Sequence, residues 1–243
     1  MVNLSIPKPK FFWNKYSILR YQQNYNFLKK KINNSKSLDI LDIGGHTGDL
    51  YEYLKFIEVP LAKINYQILD NDKGALEIAR KRGVKTLKID FNSKKIEKVF
   101  NSKKFDIIIC TEVLEHLLYP NRIMNSIKKL LKADGICLIS IPNENTIFHR
   151  LFTLFGMGID QYVFREGKHL HFPTIKQSRD FVSSHLKINE YAYFIIFEGK
   201  GSRLSWAGIF LKLVPDFIWH KLTIIAPNFF ARGSIFLCSK KLL

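Results

Sequence analysis

The 243-residue chain contains little cysteine, and its three cysteines stand far apart. Cys110, Cys137 and Cys238 each lie in an apolar run and form no C-x-x-C pair, which excludes the disulfide framework of a small secreted domain. We therefore expect reduced thiols in the core of a cytosolic protein. The sequence also lacks a run of 18 uncharged apolar residues and a sustained apolar stretch near its start, so we expect neither a transmembrane span nor a signal peptide.

Acidic residues are absent from the first 38 positions, which hold eight of the 38 lysine and arginine residues. The chain has 21 acidic residues and a formal net charge of +17, an excess that favours nucleic acid, an anionic membrane surface or an acidic substrate as partner. The alternative is a lysine- and asparagine-rich composition without functional meaning. Hydrophobic residues at 47% and charged residues at 24% are typical of a globular protein and exclude intrinsic disorder.

Short apolar runs alternate with helical patterns along the middle of the chain, a rhythm that indicates parallel strands joined by crossover helices. Two further apolar runs near the end complete the predicted set of seven strands. The predicted strands are Leu38–Ile43, Ile64–Leu69, Val84–Ile89, Phe105–Cys110, Ile136–Ile141, Ile188–Phe197 and Ser234–Ser239, and the predicted helices are Gly48–Ile57, Gly74–Arg82 and Arg122–Lys132. We therefore predict an α/β fold with an open, doubly wound, mostly parallel seven-stranded sheet, whose ligands bind beyond the carboxyl ends of the strands.

A glycine-rich turn follows the first predicted strand and reads Asp42-Ile43-Gly44-Gly45-His46-Thr47-Gly48-Asp49. A dinucleotide fingerprint, G-x-G-x-x-G counted from Gly44, is excluded because His46 and Asp49 replace its second and third glycines. The segment resembles the first motif of class I S-adenosylmethionine-dependent methyltransferases, an acidic residue followed by x-G-x-G-x-G. His46 replaces the middle glycine, and histidine tolerates left-handed backbone angles better than most residues do. A purely structural strand-to-helix turn is the alternative.

Further segments stand, in order, where this family places its other motifs. They are Ile68–Asp72, Lys88–Phe91, Phe105–Leu117, and Leu130–Gly135 together with Ile139–Asn143. The resemblance covers residues 38–143, and it extends more loosely to Lys168–Phe172, which is similar to a segment of ubiquinone-type and related small-molecule or glycan methyltransferases. It implies a Rossmann-like methyltransferase domain with S-adenosyl-L-methionine as cofactor.

The resemblance also implies roles for residues at the ends of four strands. Asp42 meets the methionine ammonium indirectly, Asp70 takes both ribose hydroxyls with Asp72 as the alternative, and Asp90 with Phe91 holds adenine. The complete predicted cofactor set is Asp42, Gly44, Gly45, His46, Gly48, Asp70, Asp90, Phe91 and Thr111. No metal site is predicted.

Glu112 and His116 are four residues apart, so they share a face if a helix follows the fourth strand. The carboxylate would then orient the imidazole and raise its basicity, and His116 is predicted to act as general base for a hydroxyl acceptor. The alternative is a surface pair that stabilises a short helix. His169 and His171 alternate in an extended segment, so only one of them should face the cleft, and His169 is the third catalytic candidate.

Two apolar insertions distinguish the chain from a minimal methyltransferase, one after the fifth strand and one between the sixth and seventh. Thr146–Phe164 is predicted to form a lid over the acceptor pocket. Trp206–Ala226 carries apolar residues at helical spacing with Lys212, Asp216 and Lys221 off the stripe, a pattern typical of an amphipathic helix lying on a bilayer. The alternative is that this stripe packs on the domain's own sheet or on a partner subunit.

The sequence predicts a basic N-terminal arm at residues 1–37 and a methyltransferase domain at 38–243, with the cofactor half at 38–143 and the acceptor half at 144–243. The predicted reaction is S-adenosylmethionine-dependent methyl transfer to a hydroxyl of a small-molecule, lipid-linked or glycan acceptor.

Two other functions stay open. An RNA or protein methyltransferase using the basic arm is disfavoured, because residues 110–113 do not match the Asn/Asp-Pro-Pro-aromatic tetrapeptide of nucleic-acid amino-methylating enzymes. The other function is that of a non-catalytic, cofactor-binding partner subunit, which stays open because His46 replaces the middle glycine of the first motif. We expect a cytoplasmic protein that can lie at the inner membrane face, and a homodimer is left open.

Overall fold

The computed structural model describes residues 15–158, 167–195 and 215–241, and within them a seven-stranded sheet. The strands are β1 (Leu38–Ile43), β2 (Ile64–Asp70), β3 (Lys85–Lys88), β4 (Phe105–Thr111), β5 (Leu131–Pro142), β6 (Lys187–Ile195) and β7 (Ala231–Ser239). Their order is β3-β2-β1-β4-β5-β7-β6, and β7 runs antiparallel to both of its neighbours. The predicted fold class is confirmed.

Helices flank the sheet, and their caps follow the local sequence. They are α1 (Lys15–Asn34), α2 (Asp49–Phe56), α3 (Lys73–Lys81), α4 (Pro120–Leu130), α5 (Ile147–Leu154), α6 (Ile175–His185), α7 (Asp216–Ile225) and α8 (Pro227–Phe230). Asp72 caps α3 by accepting a hydrogen bond from the backbone N–H of Ala75. Thr174 and Gln177 form a capping box that begins α6, in which each side chain satisfies a backbone N–H of the other.

The central strands are buried on both faces, which explains their continuous apolar sequences. Along β4, Ile107 and Ile109 join the core layer that contains residues of α1 and α2, whereas Ile108 lies in the opposite layer with residues of α4. Full burial of one such side chain contributes about 1.5–3 kcal/mol to folding. The carboxyl ends of β1 and β4 are therefore held by a packed core.

The boundary between α4 and β5 differs from the prediction. Helix α4 ends at Leu130 and β5 begins at Leu131, although the helical pattern was predicted to continue to Lys132 and the strand to begin at Ile136. Leu131 has extended backbone angles and pairs with Phe105 of β4. Both side chains are fully buried, so strand pairing with an apolar neighbour outweighs the helical periodicity here.

Helix α1 belongs to the segment predicted as a basic arm, and it packs on the sheet. Leu28 and Ile32 are fully buried, and the ring of Tyr21 lies 5.9 Å from that of Tyr53 on α2. Lys31 forms an ion pair of 2.8 Å with Asp134. The first 14 residues of the predicted arm lie outside the described residues, but α1 shares its core with the predicted cofactor half.

Each apolar insertion is described in part. Residues 159–164 of the predicted lid and 206–214 of the predicted stripe lie outside the described residues. No residue of α5 is buried, and Phe155 directly after it is 75% exposed; on α7, Phe217 is 62% exposed while Trp219 is buried. The Arg150 guanidinium lies 4.8 Å from the ring centre of Phe229, so the first insertion contacts helix α8, which directly follows the second. None of the helices in the described ranges has both the length and the hydropathy needed to cross a bilayer.

Candidate active site

A cleft of about 780 Å³ opens where β1, β2 and β4 end at their carboxyl edge. Its walls come from the turn after β1, the residues after β2, β3 and β4, helix α1 and the segment around Lys168. The cleft is lined by residues that include Arg20, Tyr21, Asp42, Gly44, Gly45, His46, Asp70, Asp90, Phe91, Thr111, Glu112, His116 and Lys168. A topological switch point lies here, because β1 continues to β2 on one side and has β4 on the other.

The turn after β1 has no room for side chains on its first two glycines. Gly44 has a φ of +74°, and a Cβ there would lie 2.3 Å from Val113 Cγ2. A Cβ on Gly45 would lie 2.7 Å from Asp42 Oδ2. The backbone of the turn therefore passes directly over the Asp42 carboxyl, and without side chains on these glycines a ligand can approach it closely.

His46 adopts the left-handed conformation that the missing glycine would take, with a φ of 48°. Its backbone N–H donates to Asp70 Oδ2 at 2.9 Å, so the turn and the end of β2 are tied together. His46 thus has a left-handed backbone at the position of the middle glycine.

Asp42 is buried below this turn. The Tyr66 hydroxyl donates to its Oδ2 at 2.7 Å. Burial raises the pKa of Asp42 to about 7, which the Tyr66 hydrogen bond opposes and the negative charge of Asp70 reinforces. An ammonium group above Gly45 would favour the ionised form, so this carboxyl suits a cationic ligand.

The two carboxylates at the end of β2, Asp70 and Asp72, have different hydrogen-bond partners. Asp70 accepts one backbone hydrogen bond on each oxygen, from His46 and from Asp72 at 2.9 Å, and each oxygen keeps a second acceptor position. Asp72 caps α3, and that bond to Ala75 lowers the pKa of its carboxyl. This geometry supports Asp70 over Asp72 as the partner of two hydroxyl groups.

An aromatic side chain lines the cleft after β3. Phe91 is buried, and beside it the exposed Asp90 accepts a hydrogen bond from the Asn92 backbone N–H at 2.9 Å, which lowers the pKa of Asp90. A flat apolar face next to a fixed carboxylate matches a heteroaromatic ring that carries an amino group. The residues that line this part of the cleft therefore fit S-adenosyl-L-methionine.

The predicted helical pair of Glu112 and His116 does not form. Glu112 has a left-handed φ of 57°, and only one 3₁₀ turn, Leu114–His116, follows β4. Glu112 instead accepts a hydrogen bond from Ser140 Oγ at 2.7 Å on the neighbouring β5. A short 3₁₀ turn does not place residues four apart on one face, and the conditional prediction was wrong for that reason.

Glu115 is the carboxyl beside the histidines. Its Oε1 lies 4.0 Å from His116 Nε2 and 3.9 Å from His169 Nε2, and the two rings meet edge to face with centres 4.6 Å apart. The other ring nitrogen of His169, Nδ1, lies 2.9 Å from Glu144 Oε1. These atoms of Glu115, His116 and His169 all lie within 4.8 Å, a composition that also suits a divalent metal ion and that the sequence did not predict.

Burial sets the protonation of this cluster. Glu115 is buried, and desolvation followed by the negative charge of Glu112 raises its pKa well above the usual range. Burial and the neighbouring His169 lower the pKa of His116. Its Nδ1 lies 3.3 Å from the Lys168 carbonyl oxygen, which can only accept, so we assign the proton to Nδ1 and the lone pair to Nε2.

Ten of the twelve predicted site residues line the cleft. Gly48 and His169 do not: Gly48 precedes α2 with a φ of +78°, and a Cβ there would lie 3.2 Å from Ile68 Cδ1, while the ring of His169 lies against that of His116. Sequence reasoning missed Arg20, Tyr21, Glu115, Glu144 and Lys168. A signal existed for Glu115, which adjoins His116 in the quoted motif, whereas nothing in the arm linked Arg20 and Tyr21 to the cleft.

The strand order and the acidic, glycine-rich carboxyl edge define a class I methyltransferase fold. The chain belongs to a family described as "Methyltransferase domain", which matches residues 13–181. The Ubiquinone biosynthesis O-methyltransferase of Rickettsia prowazekii (strain Madrid E) is 30% identical over 154 residues, which cover 61% of this chain and 53% of that protein. The enzyme of the same name from Actinobacillus pleuropneumoniae serotype 7 (strain AP76) is 32% identical over 126 residues, which cover 49% of this chain and 52% of that protein. The chain thus spans about half the length of these curated relatives.

Solved structures share the fold. The N-methyltransferase NodS from Bradyrhizobium japonicum WM9, in complex with S-adenosyl-L-homocysteine, has a TM-score of 0.57 at 13% identity, with 94% of this chain and 89% of that chain covered. Magnesium protoporphyrin IX methyltransferase from Synechocystis PCC 6803, also with bound S-adenosyl-L-homocysteine, has a TM-score of 0.57 at 12% identity, with 93% of this chain and 84% of that chain covered. Family and fold together confirm the predicted class, a class I S-adenosylmethionine-dependent methyltransferase, and its cofactor.

Proposed function

We propose that this protein transfers a methyl group from S-adenosyl-L-methionine to a hydroxyl group of a small-molecule or lipid-linked acceptor, a glycan being the third candidate. The observation that carries the proposal is the His116 imidazole, which lines the cleft with Nε2 as its free base nitrogen. The curated relatives are named O-methyltransferases, which supports an oxygen acceptor.

The cofactor supplies a methyl group on a sulfonium centre, so the protein's task is mainly to position the reactants. Asp70 would accept hydrogen bonds from the ribose hydroxyls, and Phe91 would pack on the adenine. The ionised Asp42 would attract the ammonium group through the turn above it. Arg20, whose charge acts on Asp42 and Glu115, would meet the methionine carboxylate from helix α1.

His116 would accept the acceptor's hydroxyl proton on Nε2 as the carbon–oxygen bond forms and the sulfur–carbon bond breaks. Its lowered pKa keeps the imidazole neutral near pH 7, which a proton acceptor requires. His169 packs edge-on against that ring, and Glu115 and Glu144 flank His169. These three residues therefore act by holding His116 in position.

We also propose a peripheral position at an anionic membrane surface. Its support is the exposed apolar surface of the two insertions in a chain of net charge +17. The apolar side chains of this surface are Leu154, Phe155, Phe217 and Ile225. A lipid-linked acceptor would be reached from such a position.

The experiment measures transfer of radiolabelled methyl from the cofactor to pooled phenols, lipid extracts and oligosaccharides, with mass spectrometry of the product. With the acceptor found, His116→Ala should lower kcat about 100-fold to 10,000-fold while S-adenosylhomocysteine binding persists. His220→Ala, an exposed histidine on α7, is the matched control and should leave kcat unchanged. Assays with and without a chelator separate any metal contribution. Methylation on nitrogen or carbon, or wild-type kcat in His116→Ala, would contradict the proposal.

A further inference from the structure

A second cavity, of about 410 Å³, lies beside the cleft and has a different character. It is enclosed by the 3₁₀ turn after β4, the start of α4, the end of β5, the segment 170–173 and helix α6. Most of its walls are apolar: Leu114, Pro120, Ile141, Leu170, Phe172, Pro173 and Phe181. Its volume is within the range of small-molecule sites, which are mostly apolar with a few placed polar groups.

The two cavities adjoin at Leu170. This side chain lines both of them and is 49% exposed, so a ligand can extend from one to the other across it. The adjacent residues Glu115 and His116 line different cavities: Glu115 lines the second cavity, and His116 lines the cleft. The second cavity therefore borders the side chain that we propose as the base.

Two buried polar groups of this cavity have no hydrogen-bond partner among the described residues. They are both carboxyl oxygens of Glu115 and the hydroxyl of Ser178 on α6, and each residue is only 1% exposed. A buried polar group without a partner costs free energy, so its presence calls for a ligand or water. The mostly apolar wall, with these two polar groups buried behind it, matches an apolar ligand that carries few hydroxyls.

We propose that the second cavity holds the apolar body of the methyl acceptor, and that this body is an alkyl or aryl group bearing few hydroxyls. The inference rests on the proposed function and narrows its substrate class. A glycan fits poorly, because an apolar wall would leave most of its hydroxyl groups without partners. The reacting hydroxyl would lie at the border of the two cavities, near His116.

The test uses 4-methyl-, 4-propyl- and 4-hexylphenol as probes, with affinities measured by ligand-observed NMR. In the wild-type protein, affinity should rise about fourfold for each added methylene, because each methylene is transferred from water into the apolar cavity. Ser178→Leu fills the cavity and should abolish this dependence on chain length. Ser184→Leu, on the exposed side of the same helix, is the matched control and should retain it.

A second measurement does not depend on the variant's folding. With methyl-labelled isoleucine in the wild-type protein, the hexyl chain should give nuclear Overhauser effects to Ile141, which lines the cavity, and not to Ile68, which packs below the turn after β1. Absence of chain-length dependence in the wild type, its persistence in a folded Ser178→Leu, or contacts to Ile68 alone would overturn the inference. Calorimetry with S-adenosylhomocysteine on the same samples tests the proposed function separately, because Ser178 does not line the cleft.

Discussion

Replacing Asp42 with asparagine should stabilise the protein and weaken its binding of S-adenosylhomocysteine, the demethylated form of the cofactor. The carboxyl is buried beneath Gly45, and among the described residues Tyr66 is the side chain that donates a hydrogen bond to it. An asparagine in the same orientation keeps an oxygen for the Tyr66 hydroxyl and removes the ionisation. The free energy that burial costs the native state is therefore recovered.

The magnitude follows from the two pKa values. Folding raises the pKa of Asp42 from 3.8 to about 7, so the unfolded chain ionises first as the pH rises. The contribution of this group to stability is therefore fully present below pH 4 and declines until the pH passes about 7. With 1.36 kcal/mol per pH unit, the loss at pH 7 is of the order of 4 kcal/mol, which Asp42→Asn should recover.

Urea denaturation at pH 4.5, 6, 7 and 8 measures this prediction. The difference in the free energy of unfolding between variant and wild type should grow from pH 4.5 to 7 and then level off. Glu77→Asn, an exposed carboxylate on α3, should show no comparable growth. Calorimetry at pH 7 should show weaker S-adenosylhomocysteine binding in Asp42→Asn and, in the wild type, proton release on binding. A stability difference that does not change with pH would refute the reasoning about burial.

Three further predictions concern the ligand, the turn and the surface. Asp70→Ala should weaken S-adenosylhomocysteine binding about tenfold to a hundredfold, because it loses charge-assisted hydrogen bonds; unchanged calorimetric affinity in a folded variant would remove the assignment. His46→Gly should keep that affinity within about threefold, because the bond to Asp70 uses the backbone, and a larger loss would give the side chain a direct role. Replacing the exposed apolar residues Leu154, Phe155, Phe217 and Ile225 with serine should reduce co-sedimentation with anionic vesicles. If the wild-type protein itself never sediments with vesicles, this surface belongs to a subunit interface or packs on another part of the chain.

The sheet was predictable because its signal is local. Parallel strands buried on both faces require continuous apolar runs, and the runs of β1 and β4 end at glycine or polar residues. The end of α4 was not predictable from periodicity, because the extension of β5 to Leu131 depends on Phe105, a partner 26 positions earlier. Strand pairing of this kind is a tertiary fact that overrides a local pattern.

The candidate site shows the same division. Asp42 and Asp70 lie at the carboxyl ends of β1 and β2 and belong to motifs, so their place in the cleft could be predicted. The partner of His116 could not, because the left-handed backbone of Glu112 redirects the chain before any helix begins. Glu144 follows β5 and meets His169 only after the segment around residue 170 has crossed back over the 3₁₀ turn, where two of its N–H groups donate to the Glu115 carbonyl.

The charge of the whole chain and the charge of the cleft have opposite signs. The chain carries +17, yet the described wall of the cleft brings together Asp42, Asp70 and Glu112, with Glu115 behind them. Burial raises the pKa values of Asp42 and Glu115, and the negative charges of Asp70 and Glu112 raise them further. A ligand that carries an ammonium and a sulfonium group relieves this repulsion, whereas its demethylated product has lost the sulfonium charge. The acidic cleft should therefore bind the methyl donor more tightly than the product, because the product has lost one of the two positive charges that the carboxylates attract.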